Sequence, residues 1–357
     1  MALMRRQSLV KFDAPLCETI VDTPKPQGKE VLVRIERCGL CHSDLHIQDG
    51  YADLGGGKKL DTTRGMTLPF TLGHEIAGIV EEVGSEVTTH QVGDRVGVGC
   101  LIDSCGECRH CLAGEEQFCD GSIGTYGSIG RDGKPTLGGY STHIVVKDRF
   151  VLRIPDALGL DVTAPLLCAG ITTYSPLRHW NAGPGTRVGV IGLGGLGHMA
   201  VKYAKALGCD VSVFSRTLAK ADDATRLGAS HVFATSDPAT FTEQGSSLDL
   251  IINTVSAPID LGAHLGLLDV NGVMVNVGVP PEAMELHFFP LLDGRRSLAG
   301  SPIGGIPQTQ EMLDVAAAHG FGADVETVDA DYITAAHDRV VAGDVRYRFV
   351  IDIASMR

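Results

Sequence analysis

The chain has 357 residues and a mass of 37.7 kDa, too long for one ordinary hydrophobic core, which predicts two domains. With 44% hydrophobic residues and a mean hydropathy of +0.11 it can bury substantial cores, yet no run approaches the roughly 20 apolar residues that span a bilayer. A net charge of −13 and a pI near 5.4 argue against nucleic acid as a partner, because that affinity depends on Lys and Arg neutralising phosphates.

Taken in order, the N-terminal stretch Met1 to Leu16 carries Arg5 and Arg6, but Lys11 and Asp13 interrupt any apolar core before it reaches the length of a secretory segment. A cytoplasmic protein is expected. From Glu30 to about Phe150 short alternating segments, such as Val31 to Ile35 and Ile144 to Val146, are broken by Gly, Asp and Pro. That pattern predicts β-rich structure whose loops carry function. Within it, Tyr51 to Thr67 holds Gly55, Gly56, Gly57, Lys58, Lys59, Asp61 and Arg64 with no sustained period. It reads as a surface loop, either a solvated excursion or a lid or interface segment.

From about Val151 to Gly294 the pattern changes to apolar strand, glycine turn, helix, strand. Arg187 to Ile191 predicts a strand, His198 to Leu207 a helix and Val211 to Phe214 a second strand. Such alternation implies βαβ units and a doubly wound parallel sheet. The remainder, Leu298 to Arg357, offers a helix around Thr309 to His319 and an apolar strand from Tyr347 to Ile353. It is expected to complete the first domain.

Ten cysteines are present, and four of them, Cys105, Cys108, Cys111 and Cys119, stand as C-x2-C-x2-C-x7-C. Disulfides would suit a small secreted domain; the length and N-terminus of this chain favour zinc. A second set, Cys41, His74 and Cys168, is spread along the chain. Four thiolates close a tetrahedral ion, whereas three protein ligands leave its fourth corner free. One structural and one catalytic Zn2+ per chain are therefore expected. Cys17, Cys38, Cys100 and Cys209 read as small buried hydrophobes. The Tyr51 to Thr67 loop is expected near the metal ligands.

Gly192, Gly194 and Gly197 form G-x-G-x-x-G between a predicted strand and a predicted helix. Glycines there allow a tight turn and close backbone approach, and the helix N-terminus offers free N–H groups to a pyrophosphate. At the end of the second strand, where NAD sites place an acid for the ribose 2′-OH, stand Ser215, Arg216 and Thr217, with Lys220 one turn later. This group would attract a 2′-phosphate, so NADP(H) is preferred over NAD(H); the other reading is that Arg216 and Lys220 are solvated charges at a helix start.

These motifs, together with Gly73-His74-Glu75-x2-Gly78-x5-Gly84-x2-Val87, the run Cys41 to His46 and Gly93-Asp94-Arg95-Val96, resemble the zinc-dependent medium-chain alcohol dehydrogenase family. Asp344 to Val350 and Gly133 to Gly139 are similar to its cinnamyl alcohol dehydrogenase branch, which includes bacterial aldehyde reductases. The resemblance implies that Cys41, His74 and Cys168 hold the catalytic zinc, with Glu75 a neighbouring carboxylate able to approach the metal. It implies that Asp44 accepts a hydrogen bond from the far ring nitrogen of His74 and fixes its tautomer; the plainer reading is that Asp44 caps a helix. Ser43 and His46 match the family's proton relay, His42 the pyrophosphate contact, Thr172 the position beside the nicotinamide, and Arg346 or Arg348 a cofactor contact. His46 has the alternative of a hydrogen-bonded structural histidine, and Cys168 that of a core residue.

The chemistry can also be argued from the residues. Hydride leaves an alcohol carbon readily only when its oxygen is nearly anionic, which a divalent ion favours. Ser43 and His46 lie two and five residues beyond Cys41, so a hydroxyl can pass the alcohol proton towards an imidazole. Small residues, Gly124 and Ala52, occupy positions where plant members of the resembling branch carry tryptophans, which implies a range of aromatic and medium aliphatic aldehydes. The expected enzyme interconverts primary alcohols and aldehydes with NADP(H). A polyol or sugar dehydrogenase of the same superfamily and a metal-free reductase or NADP-binding protein remain alternatives. The expected architecture is α/β: a β-rich, GroES-like catalytic domain from residues 1–154 and 296–357, and a Rossmann dinucleotide-binding domain from 155–295, with the active site between them. The resemblance implies a homodimer or homotetramer.

Overall fold

The computed structural model describes residues 2–53, 58–63, 66–280 and 282–357. They form two compact units, one from Met1–Ala52, Asp61–Cys168 and Gly304–Arg357, the other from Asp53–Leu60 and Ala169–Ile303.

The first unit is built on a seven-stranded sheet with Glu30–Gly39 at its centre. That strand pairs antiparallel with Ile76–Val83 along one edge, and along the other with His143–Lys147 and Arg348–Asp352, each taking one half of its length. Alternation explains the choice of strand: Val31, Val33 and Ile35 face inward at period two and are fully buried, in a core shared with Ile76, Val96 and Phe150. A smaller sheet of Leu3–Leu9, Cys17–Asp22 and Phe70–Thr71 adds to this unit. Arg348–Asp352, far along the chain, joins the same sheet as Glu30–Gly39, as expected for a domain completed by the C-terminal segment.

The second unit carries six parallel strands, in the order His231–Ala234, Asp210–Ser215, Arg187–Ile191, Leu248–Asn253, Leu268–Asn276, Ser297–Gly300. Counted from Arg187–Ile191 this is the 3-2-1-4-5-6 order of a dinucleotide-binding sheet, whose chain reversal lies between Arg187–Ile191 and Leu248–Asn253. Strands buried on both faces are largely apolar, which is why Leu250 to Ile252 reads as an unbroken hydrophobic run and Val211 to Phe214 is interrupted only by the buried Ser212.

The units part at Cys168/Ala169 and Ile303/Gly304, later in the chain than the expected divisions at 154/155 and 295/296. Residues Ser297–Gly300 hydrogen-bond in parallel to Leu268–Asn276 and so stay with the second unit. The helix Leu160–Thr163 is tied to the first unit, where Val162 accepts the Ala323 N–H at 2.9 Å. In the segment read as a loop, Tyr51–Asp53 and Lys59–Asp61 pair as a two-stranded sheet; three-residue strands are too short for alternation to register. Gly55, Gly56, Gly57 and Arg64 lie outside the described residues. Cys17 is exposed and Cys100 half-buried, unlike the buried positions expected of both. No described helix is long and apolar enough to cross a membrane.

Candidate metal and dinucleotide sites

Sheet register assembles the buried group. Cys38 pairs with Ile76, and the Gly39 N–H bonds the Glu75 carbonyl at 2.8 Å. The end of one strand therefore lies beside the start of the other, with Cys41 just past the first and His74 just before the second. Cys168 follows the 3₁₀ turn Ala164–Leu167. One ligand atom each from Cys41, His74, Glu75 and Cys168 lie within 4.8 Å of one another. Cys41 Sγ and Cys168 Sγ are 3.9 Å apart, close to the edge of about 3.8 Å that a tetrahedron with Zn–S bonds near 2.3 Å requires.

The electrostatics of this group call for a cation. The bond from Cys168 pulls the Cys41 thiol well below its ordinary range, against burial. The Cys168 thiol is pushed well above it by hydrogen bonds to Cys100 and Cys41 and by burial. A divalent ion between the two sulfurs would let both ionise. Burial works to lower the His74 pKa, but Cys100 and Cys41 outweigh it and raise it well above its usual value. Burial lifts Glu75 to about 8, opposed first by the Arg348 guanidinium, with which it forms a buried ion pair. The other Glu75 oxygen, Oε2, is buried and has no hydrogen-bond partner. A two-cysteine, one-histidine set with an orphaned carboxylate oxygen beside it fits zinc.

Asp44 is fully buried on the helix His42–Gln48, but it does not bond His74 as expected. Oδ1 lies 3.8 Å from His74 Nδ1, beyond hydrogen-bond reach. Its oxygens instead accept from Cys41 N–H at 2.9 Å, Gly73 N–H at 3.2 Å and the Tyr140 hydroxyl at 3.0 Å. The Cys41 contact is one arm of a capping box that starts the helix, so the capping reading also holds. His74 Nδ1 bonds the Tyr126 hydroxyl at 3.0 Å. Sequence reasoning passed over Tyr126 and Tyr140, and saw Arg348 only as a cofactor contact.

Ser43 is exposed, with its Oγ 3.6 Å from Cys41 Sγ. His46, three residues on and so on the same helix face, is half-buried and packs edge-on against the exposed His42. Burial, then His42, lowers the His46 pKa.

The four-cysteine lobe is assembled locally. Its ligand atoms also lie within 4.8 Å, with Sγ separations of 3.8 Å for Cys105–Cys111, 3.6 Å for Cys108–Cys111 and 3.5 Å for Cys105–Cys119. All four are free thiols. Backbone N–H groups of Glu107 and Cys108 lower the Cys105 thiol to about 6, favouring the thiolate that binds metal. Gly106 takes φ +79, and a Cβ there would meet Arg149 Nη1 at 2.6 Å. Among the described residues these are the two groups able to hold a metal ion.

In the second unit the glycine turn joins Arg187–Ile191 to the helix Gly197–Ala206. Gly192 has φ +86, and a Cβ on Gly197 would lie 2.1 Å from the Gly192 carbonyl oxygen. A Cβ on Gly194 would meet nothing within 4 Å: its bareness serves no contact in the chain and leaves the backbone open to a ligand. No side chain caps the helix N-terminus. Ser215 ends the strand Asp210–Ser215, Arg216 is exposed beyond it, Thr217 caps the turn Leu218–Lys220, and Lys220 Nζ donates to the Leu193 carbonyl at 3.0 Å. Thr172 is buried on the helix Ala169–His179. Arg346 is exposed, while Arg348 is buried against Glu75 and so is not free to reach a cofactor.

Residues 27–156 match the profile of the alcohol dehydrogenase GroES-like domain and residues 195–318 that of the zinc-binding dehydrogenases. The chain is 57% identical over 345 residues to NADP-dependent alcohol dehydrogenase C 1 of Mycolicibacterium smegmatis, covering 96% of each. The cinnamyl alcohol dehydrogenase of Sorghum bicolor superposes with a TM-score of 0.91 at 39% identity, over 99% of this chain and 98% of that one. The CAD of Helicobacter pylori, solved with NADP(H), does so with 0.87 at 37% identity, over 99% and 98%. The chain belongs to the zinc-binding, medium-chain alcohol dehydrogenase family. It is an oxidoreductase of small alcohols and aldehydes.

Proposed function

We propose that the protein is an NADP(H)-dependent aldehyde reductase and alcohol dehydrogenase whose catalytic zinc is held by Cys41, His74 and Cys168, and whose second zinc is held by Cys105, Cys108, Cys111 and Cys119. The observation that carries the reading is the buried donor set: two thiol sulfurs 3.9 Å apart, near the edge of a zinc tetrahedron, beside a histidine and an orphaned carboxylate oxygen. A zinc ion there would supply Lewis-acid stabilisation of charge on the substrate oxygen, and the nicotinamide carries the hydride.

The chain's own residues bind, orient and move the proton. Ser43 Oγ, beside Cys41, passes it to His46 on the next helical turn, where a lowered pKa keeps the ring neutral and able to accept. The Gly192 to Gly197 turn of the second unit receives the pyrophosphate, with Thr172 as a further cofactor contact. Ser215, Arg216, Thr217 and Lys220 present hydroxyls and positive charge where an acid would repel a 2′-phosphate; NADP dependence of the mycobacterial relative supports this choice. Gly124, where plant members of the resembling branch carry a tryptophan, supports aromatic and medium aliphatic aldehydes as substrates; the Ala52 side chain lies outside those described.

A reducing, cytoplasmic setting suits ten free thiols. A homodimer or homotetramer is supported by the second unit's open edge strand Ser297–Gly300 and by Phe288, Phe289 and Leu292, exposed to 73%, 82% and 73%.

Benzaldehyde reduction with NADPH and with NADH, in the native chain and in Ser43→Ala, tests the reading. NADPH should be favoured by at least about tenfold, and Ser43→Ala should turn over about 10²-fold more slowly with its zinc retained. Equal use of the two cofactors would overturn the 2′-phosphate assignment, and an unchanged rate the relay.

A further inference from the structure

Tyr126 meets His74 where the family resemblance expects Asp44. Its hydroxyl lies 3.0 Å from His74 Nδ1. Its ring is tilted against the imidazole, with centroids 5.3 Å apart, and is held edge-on by Phe70 at 6.0 Å. Asp44 is fully buried and already accepts from the Cys41 and Gly73 amides and the Tyr140 hydroxyl.

Hydrogen-bond inventory decides how the protons run. A carboxylate can only accept, whereas a phenol has one proton to donate and lone pairs with which to accept. A ring that ligates through Nε2 carries its proton on Nδ1, so the Tyr126 oxygen accepts from His74 Nδ1–H. That leaves Nε2 of the neutral ring without a proton. A ring nitrogen of His74 lies within 4.8 Å of Cys41 Sγ.

We propose that Tyr126 is a positioning residue for the metal: its hydroxyl, hydrogen-bonded to His74 Nδ1, fixes the Nδ1–H tautomer and ring orientation that present Nε2 as a ligand. The inference rests on zinc binding at Cys41, His74 and Cys168. Asp44 itself lies 3.8 Å from His74 Nδ1, so the hydroxyl of Tyr126 is the nearer partner of that nitrogen. Removing an outer hydrogen-bond partner of a metal-binding histidine typically costs 10- to 100-fold in metal affinity.

The test compares the native chain, Tyr126→Phe and Tyr140→Phe, each loaded with zinc and titrated with a chelator while the zinc remaining per chain is counted. Melting temperatures of the loaded and zinc-free forms are taken in parallel, and the visible spectrum is recorded after replacement by Co2+. The native chain should release its two ions in separate steps. In Tyr126→Phe the step belonging to the Cys41 site should move to about 10- to 100-fold lower chelator, with an altered Co2+ spectrum, the lobe step in place and the zinc-free melting temperature unchanged. Tyr140→Phe removes a buried hydroxyl that donates to Asp44 and has no hydrogen bond to His74, and should move that step far less. Native-like release and spectrum in Tyr126→Phe would overturn the proposal, as would an equal shift in Tyr140→Phe or a lower melting temperature in the zinc-free form alone. A native chain that binds only the lobe ion would overturn the metal reading itself, and this inference with it.

Discussion

Arg348 lies on a strand whose neighbours Phe349, Val350 and Ile351 are fully buried apolar residues. A charge in such a run must find a partner, and it finds Glu75, a member of the metal group. Arg348→Met would leave Glu75 buried and unpaired, and is expected to lower the unfolding free energy by about 3–5 kcal/mol, read by denaturant titration of the zinc-free protein; a loss within about 0.5 kcal/mol would show that the pair contributes little. The partner was inferable in kind, because a buried arginine needs an acid, but a linear pattern does not say which one. Cys41, His74 and Cys168 were legible because zinc ligation restricts residue type. Tyr126 was not, since no local pattern marks a tyrosine whose only distinguishing feature is the buried imidazole it meets across the fold.

At the level of elements, the glycine turn shows how one motif divides its duties. A Cβ at Gly197 collides with the Gly192 carbonyl at 2.1 Å, while one at Gly194 touches nothing within 4 Å. Gly197→Ala should therefore cost stability, about 1–3 kcal/mol as for an overpacked site, and cofactor affinity together. Gly194→Ala should leave the melting temperature within a degree or so of the native value and raise the NADPH dissociation constant alone. Thermal melts beside fluorescence titration with NADPH would check both, and a destabilised Gly194→Ala with intact binding would reverse the assignment of duties. The strand Arg187–Ile191 was legible to the residue and its neighbour Asp210–Ser215 to within one residue at each end, because parallel strands are largely apolar. Tyr51–Asp53 and Lys59–Asp61 were missed because strands this short carry no period.

For the whole molecule, two β-rich and parallel-sheet units follow from the change of periodicity along the chain, and their divisions at 168/169 and 303/304 follow from long-range hydrogen bonds that periodicity does not report. The Ala323–Val162 bond holds one junction in the first unit, and the parallel pairing of Ser297–Gly300 holds the other in the second. Association is a property of the same scale. Light scattering should give two or four copies per particle, and charged substitutions at Phe288 and Phe289 should lower that number; a native monomer would contradict an interface on this face.

The most direct measurement removes the metal in stages. Chelation should strip the Cys41 site and the lobe in two steps, and NADPH-dependent benzaldehyde reduction should fall and return with the ion at Cys41, His74 and Cys168 while the lobe stays loaded. Full activity in protein that holds only the lobe ion would contradict the account.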